Sequence, residues 1–204
     1  MKKLFIIFPV TLLILLTTSC NKDRLIGEYY FTEEMYEQIP FEGNETLIFI
    51  DSDSSNIVLL GGERMNQISK QYECINCSDY YYFESAWISF TNDLYKLSLS
   101  MGASPINRFS YGLTIGETGF GCNYYNNLPL SKDNLYGNQM FYDSIIVNNS
   151  TYYNVFADTL THTGIIPINP YPVFCYYSTE YGVIKIDFSD DTYWELKNIE
   201  WQDK

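Results

Sequence analysis

Apolar and polar residues alternate with period two along much of this chain, and the alternating segments come in pairs around polar turns. Thr46 to Ile50 and Ile57 to Leu60 flank the run Asp51-Ser52-Asp53-Ser54-Ser55-Asn56. Trp87 to Phe90 and Leu94 to Ser100 flank Thr91-Asn92-Asp93, with Ile88 and Phe90 on one face and Tyr95, Leu97 and Leu99 sharing a face of the second segment. Met140 to Val147 and Tyr152 to Ala157 flank Asn148 to Thr151, and Val183 to Phe188 and Thr192 to Leu196 flank Ser189-Asp190-Asp191. Consecutive pairs of this kind predict hairpins of an antiparallel meander.

Helix signals are sparse. Thr32 followed by Glu33 and Glu34 predicts one short capped helix reaching about Gln38. Gly61 to Gln71 is polar and fits either state. Gly102 to Asn138 is rich in glycine, asparagine and proline, which predicts long loops around a strand near Tyr111 to Ile115. Pro167, Pro170 and Pro172 make Gly164 to Tyr171 a stiff extended connection.

A different pattern opens the chain. Met1-Lys2-Lys3 is basic, and Leu4 to Leu16 is apolar but for Pro9 and Thr11. As a helix that run would rise about 20 Å, short of the roughly 30 Å of hydrocarbon a spanning helix crosses. A basic start, a short apolar run and then small residues have the layout of an export leader. Thr17, Thr18 and Ser19 lead directly into Cys20, an arrangement that resembles the lipobox of bacterial lipoproteins, with Thr17 where leucine is usual. The resemblance implies that Cys20 is acylated and becomes the mature N-terminus, so that acyl chains hold the protein on a bilayer. Asn21 in place of aspartate implies the outer membrane. Asn21-Lys22-Asp23 partly resembles a surface-export signal of Bacteroidota lipoproteins and leaves the leaflet, periplasmic or surface, open. The expected organisation is a leader over 1–19, an acylated tether over 20–26 and a single β-rich domain over 27–204.

Composition sharpens this picture. The chain holds 12 Lys and Arg against 25 Asp and Glu, and two of the lysines lie in the leader, so the mature charge is about −15. Such a surface disfavours nucleic acid, whose binding depends on cations that neutralise phosphate. With 20 Tyr, 13 Phe and 3 Trp, the chain favours pleated, half-buried surfaces over helices.

Towards the C-terminus, Tyr153 to Phe156, Tyr176-Tyr177-Ser178, Tyr181 to Ile186 and Tyr193 to Leu196 resemble the ending of small Bacteroidota lipoproteins of unknown function. A similar run of strands ends lipoprotein-carrier-like half-barrels. Together with the hairpins, this gives an expected all-β, mainly antiparallel fold: a curved meander half-barrel or a sandwich with at most one short helix.

Candidate chemistry is limited. Cys74 and Cys77 in Cys-Ile-Asn-Cys, with Cys122 and Cys175, are candidate disulfide cysteines of an exported protein. A zinc ribbon would need a second close pair, so neither metal nor cofactor is expected. Asp51-Ser-Asp53-Ser-Ser55 looks like the start of a calcium loop, but its sixth position is Asn56 and its twelfth Gly62, and a hairpin turn accounts for it. His162 is the only histidine, and no nucleophile elbow or phosphate loop is present in the sequence. Tyr80 to Phe83, Tyr124-Tyr125 and Tyr176-Tyr177 offer rings for contacts, Tyr124 and Tyr125 foremost because their surroundings look loop-rich. Asp143-Ser144-Ile145 and Asp158-Thr159-Leu160 resemble the short O-glycosylation pattern of Bacteroidota exported proteins, which marks Ser144 and Thr159.

The functional expectation is a membrane-anchored, non-enzymatic binding or accessory module, contacting the bilayer through Cys20 and a glycan or envelope protein through exposed tyrosines. The alternatives are a carrier or sensor of an apolar ligand in a half-barrel cavity and a hydrolase built on two facing carboxylates.

Overall fold

The computed structural model describes residues 23–75, 77–162 and 168–201. The expected leader and Cys20 lie outside them, as does the first half of the proline-rich connection.

Within the described residues the chain forms fourteen strands, one short helix and one 3-10 turn. The first half contributes β1 (Arg24–Tyr29), α1 (Glu33–Tyr36), β2 (Thr46–Asp51), β3 (Asn56–Gly61), β4 (Met65–Tyr72), β5 (Asp79–Thr91), β6 (Tyr95–Ala103) and β7 (Arg108–Ile115). The second contributes β8 (Thr118–Tyr125), a 3-10 turn at Lys132–Asn134, β9 (Met140–Val147), β10 (Ser150–Thr159), β11 (Thr161–His162), β12 (Pro172–Ser178), β13 (Gly182–Phe188) and β14 (Tyr193–Glu200). The fold is all-β and mainly antiparallel, a single open and curved sheet.

All four expected hairpins form, as β2–β3, β5–β6, β9–β10 and β13–β14. Across the sheet the order runs β11, β8, β7, β6, β5, β3, β2, β14, β13, β12, β10, β9. Strand β11 follows β10 after Leu160 and pairs with β8 through Thr161–Gly121 and His162–Phe120, so the two flanks of the sheet meet at one corner.

The core lines the concave face in strict alternation, with Ala86, Ile88 and Phe90 on β5, Leu97, Leu99 and Met101 on β6, and Phe109, Tyr111 and Leu113 on β7 all buried. Each such large side chain contributes about 1.5–3 kcal/mol by leaving water. On the opposite face small hydroxyls pair across strands, Ser89 with Ser98 at 3.1 Å and Ser100 with Ser110 at 2.7 Å. Gly182, at φ +74°, opens β13 in the left-handed region, and a Cβ there would meet the buried Phe41 ring at 2.5 Å.

Helix α1 forms where expected, with Thr32 accepting from the Met35 amide at 3.3 Å. Its exit is tied down by Arg64, whose guanidinium donates to the carbonyls of Tyr36, Ile39 and Phe41. Two expectations are revised. Gly61 to Gln71, ambiguous in sequence, holds all of strand β4 but its last residue, Tyr72. Gly102 to Asn138, expected to be loops around one strand, holds the β7–β8 hairpin. Within the segment 20–26 expected as a tether, Arg24 pairs with Asp79 in β1, the one strand among those described that pairs in parallel.

Strand β5 is long enough to leave the curved sheet. Its C-terminal half pairs with β6 and touches β3, while its N-terminal residues pair with β1 on one side and β4 on the other. The three strands form a ribbon that ends in the turn between Tyr72 and Asp79.

Candidate functional site

Strand β8 decides where the tyrosine pair goes. Successive residues of a strand face opposite sides. Phe120, Cys122 and Tyr124 therefore enter the core while Asn123 and Tyr125 face out. Tyr124 is 0% exposed and Tyr125 58%. The expectation that both contact a ligand is corrected for Tyr124, whose hydroxyl lies 3.0 Å from that of Tyr111 inside the core.

The segment after β8 folds back over its outer face. Asn127 is fully buried and brackets Ser131, accepting from its amide at 2.7 Å and donating to its carbonyl at 3.1 Å. Ser131 in turn caps the 3-10 turn by accepting from the Asp133 amide. Gln139 then fastens the segment to the strand. Its carboxamide donates to the Asn123 carbonyl at 3.0 Å and accepts from the Tyr136 amide at 3.0 Å. The backbone of Tyr136 is thereby held while its ring stays 87% exposed.

The result is a groove of two adjoining hollows of about 360 and 440 Å³, which share Asn123, Tyr125, Tyr136 and Gln139. Asn126 and Asn134 line one end, and Asn138, Asp158, Thr159 and Thr161 the other. Asp158 is the only carboxylate among these lining residues. Burial raises its pKa, opposed by hydrogen bonds from the Thr159 amide, at 2.7 Å, and from the Gln139 side chain. Carboxamides, hydroxyls and one carboxylate supply both donors and acceptors. Two amphipathic rings supply flat apolar faces beside them. The volume suits a small ligand.

The concave side of the sheet has a different character. Phe90, Phe109, Tyr111, Tyr124 and Tyr177 all reach into it and are all buried. Phe109 and Tyr177 lie 4.9 Å apart, centroid to centroid, and Phe109 and Tyr124 6.4 Å. Tyr177 donates its hydroxyl to the Gln38 carbonyl.

The remaining sequence candidates scatter. Cys74 and Cys77 are bonded to each other at the end of the ribbon. Cys122 and Cys175 are free thiols, both buried, so the expectation of a disulfide does not extend to them. Cys122 sits under the groove with its thiol 3.7 Å from the Thr159 carbonyl. Ser144 is exposed on β9, which ends the sheet order, whereas Thr159 is half-buried in the groove wall. His162 is exposed, its ring 5.9 Å from Phe120. Tyr80 and Tyr82 face one side of the ribbon and Tyr81 and Phe83 the other, all half-buried.

Of the residues that line this groove, the sequence singles out Tyr125 and Thr159 but not Tyr136, Asn123 or Gln139. The density of asparagine between Asn123 and Asn138 was the available signal. Among the described residues no group of three or more His, Cys, Asp or Glu is placed to hold a metal, and no helix is long and apolar enough to cross a membrane. Compared with known proteins, the chain matches no family model, no curated protein and no solved structure.

Proposed function

We propose that this chain is an acylated outer-membrane lipoprotein whose β domain is a non-enzymatic glycan-binding module. The observation that carries the reading is the groove in which exposed Tyr125 and Tyr136 stand beside Asn123, Gln139 and Asp158. Sugar rings present apolar C–H faces that stack on tyrosine and hydroxyls that pair with carboxamides and carboxylates. A binding role fits better than hydrolysis because the groove lining offers one carboxylate, where glycoside hydrolysis ordinarily uses two. It fits better than an apolar carrier because aromatic rings fill the concave face. The membrane address rests on Lys2-Lys3, the apolar run and Ser19-Cys20.

The test is calorimetric titration of the domain with a panel of neutral and acidic oligosaccharides. Tyr125→Ala and Tyr136→Ala should each weaken binding about tenfold, the loss of roughly 1–1.5 kcal/mol of ring contact. Tyr125→Phe should retain most of it. Unchanged affinity in both alanine variants sinks the assignment. Palmitate labelling of cells, lost in Cys20→Ala, tests the anchor separately.

A further inference from the structure

The chain enters the fold at the far end of the ribbon rather than at the curved sheet. The Arg24 amide donates to the Ser78 carbonyl at 2.8 Å, and its guanidinium Nε donates to Asp79 at 3.0 Å. The Asp23 carboxylate accepts from Lys70 Nζ at 2.7 Å and from the Tyr72 hydroxyl at 2.6 Å. Asp23 is only three positions after Cys20, which limits their Cα separation to about 11 Å. Whatever holds Cys20 therefore holds the ribbon tip against it.

That tip is unusually apolar for so acidic a chain. Ile75 is fully exposed on the turn closed by the Cys74–Cys77 disulfide. Leu25 and Ile26 on β1 are each 44% exposed, and Tyr72 is exposed beside half-buried Tyr80. The charges at the tip nearly cancel. Arg24 pairs with Asp79 and Lys70 with Asp23, and Lys70 Nζ lies 3.9 Å over the Tyr80 ring; among the described residues Glu73 is the one acid there without an ion-pair partner. Apolar side chains ringed by tyrosine and lysine suit the layer between headgroups and acyl chains, where amphipathic rings settle and lysine stems snorkel.

We propose that the ribbon tip is a membrane-contact surface: Ile75, Leu25, Ile26, Tyr72 and Tyr80 bed into the interfacial layer of the bilayer that holds Cys20. The inference rests on the reading of Cys20 as acylated. It stands the ribbon on the bilayer and sets the domain's orientation by contact rather than by the anchor alone. The lipid it fits is zwitterionic, because the tip carries no net positive charge with which to attract anionic headgroups.

The experiment is parallax quenching of the full acylated chain in phosphatidylcholine vesicles carrying bromine on the acyl chains. Ile75→Trp is compared with Leu94→Trp, an exposed position on the turn after β5, and with the unsubstituted chain to subtract its own tryptophans. Leu94 lies about 40 Å from the start of β5 along the strand. Both replacements are at exposed sites, and thermal melting verifies that each variant folds. The expected result is loss of roughly half the added emission at position 75 and almost none at 94. Protein that floats with vesicles but shows equal quenching at both positions overturns the contact surface and leaves the anchor standing. Protein that does not float overturns the acylation reading and this proposal with it.

Discussion

Tyr111 and Tyr177 stack face to face, 5.2 Å between ring centroids and 9° between ring planes, although their strands β7 and β12 lie far apart in the sheet order. The contact joins the two flanks of the curved sheet across the concave side. Both rings are buried, and both hydroxyls have partners, Tyr124 for one and the Gln38 carbonyl for the other. A stack held this way fills the space that a half-barrel carrier would leave for its ligand. Tyr177→Ala should destabilise the domain by about 3–5 kcal/mol, since it opens a cavity between two flanks that cannot simply collapse. Tyr177→Phe keeps the ring and strands the Gln38 carbonyl, for about 1–3 kcal/mol. Urea unfolding followed by tyrosine fluorescence measures both, and equal losses in the two variants would refute a packing role for the ring.

The cysteines divide by environment. Burial pushes the Cys122 and Cys175 thiols well above their ordinary pKa, so neither should form the reactive thiolate at pH 8. In a chain carrying Cys20→Ser, a thiol reagent should find almost nothing in the native state. Denaturation without reductant should release two thiols, and denaturation with reductant followed by its removal should reveal four. Four thiols before reduction would mean that Cys74 and Cys77 are not bonded, and none would mean that Cys122 and Cys175 are.

Tight turns give a backbone test. In the β9–β10 hairpin the two-residue turn is Asn148-Asn149, with φ of 45° and 63°. Left-handed turns of this kind match the twist of the flanking strands, and asparagine tolerates them. Asn149→Ala should cost about 1 kcal/mol and Asn149→Gly should cost nothing or stabilise. The ordering of the two melting temperatures checks it.

Those paired asparagines were legible in the sequence, as were all four hairpins they typify, because alternation reports directly on a half-buried strand. What escaped notice shows where that rule stops. Strand β8 reads Thr-Gly-Phe-Gly-Cys-Asn-Tyr-Tyr, and its buried Phe120, Cys122 and Tyr124 do alternate. Gly119 and Gly121 looked like loop residues, yet both lie in the strand, and the close approach of the two backbones falls at Gly112 of β7, where a Cβ would sit 2.6 Å from the Phe120 carbonyl. Strand β4 has almost no buried residue and is held by eight paired positions along β5, so its own pattern carries little signal. The groove was half legible. Tyr125 stood out as a ring, but Tyr136 becomes a partner only after Gln139 folds the segment back, and no local pattern encodes that.

The same close approach distinguishes two glycines of one hairpin. Gly112→Ala forces the β7 and β8 backbones apart and should cost about 1–3 kcal/mol. Gly119 faces open space but for Thr114 Oγ1 at 3.8 Å, and Gly119→Ala should be close to neutral. Chemical denaturation of both variants reads the contrast directly, and similar losses at the two sites would place the strain elsewhere.

Asp158 links the stability of the groove to its proposed use. Burial raises its pKa above the ordinary 3.8, so the folded chain binds that proton more tightly than the unfolded chain does. Between the ordinary and the raised value, the folded form carries more protons, and stability therefore falls as pH rises through the window. Above the raised value the carboxylate is ionised in both forms and its full desolvation cost is felt. Asp158→Asn removes that cost while keeping an oxygen to accept from the Thr159 amide. The variant should melt above the parent at pH 7, and the gap should close as pH falls below the ordinary carboxylate range. If the carboxylate accepts hydrogen bonds from sugar hydroxyls, the same variant should also bind glycan more weakly at pH 7. More stable and less able to bind is the signature of a residue kept for its ligand. A melting gap independent of pH would remove Asp158 from this role.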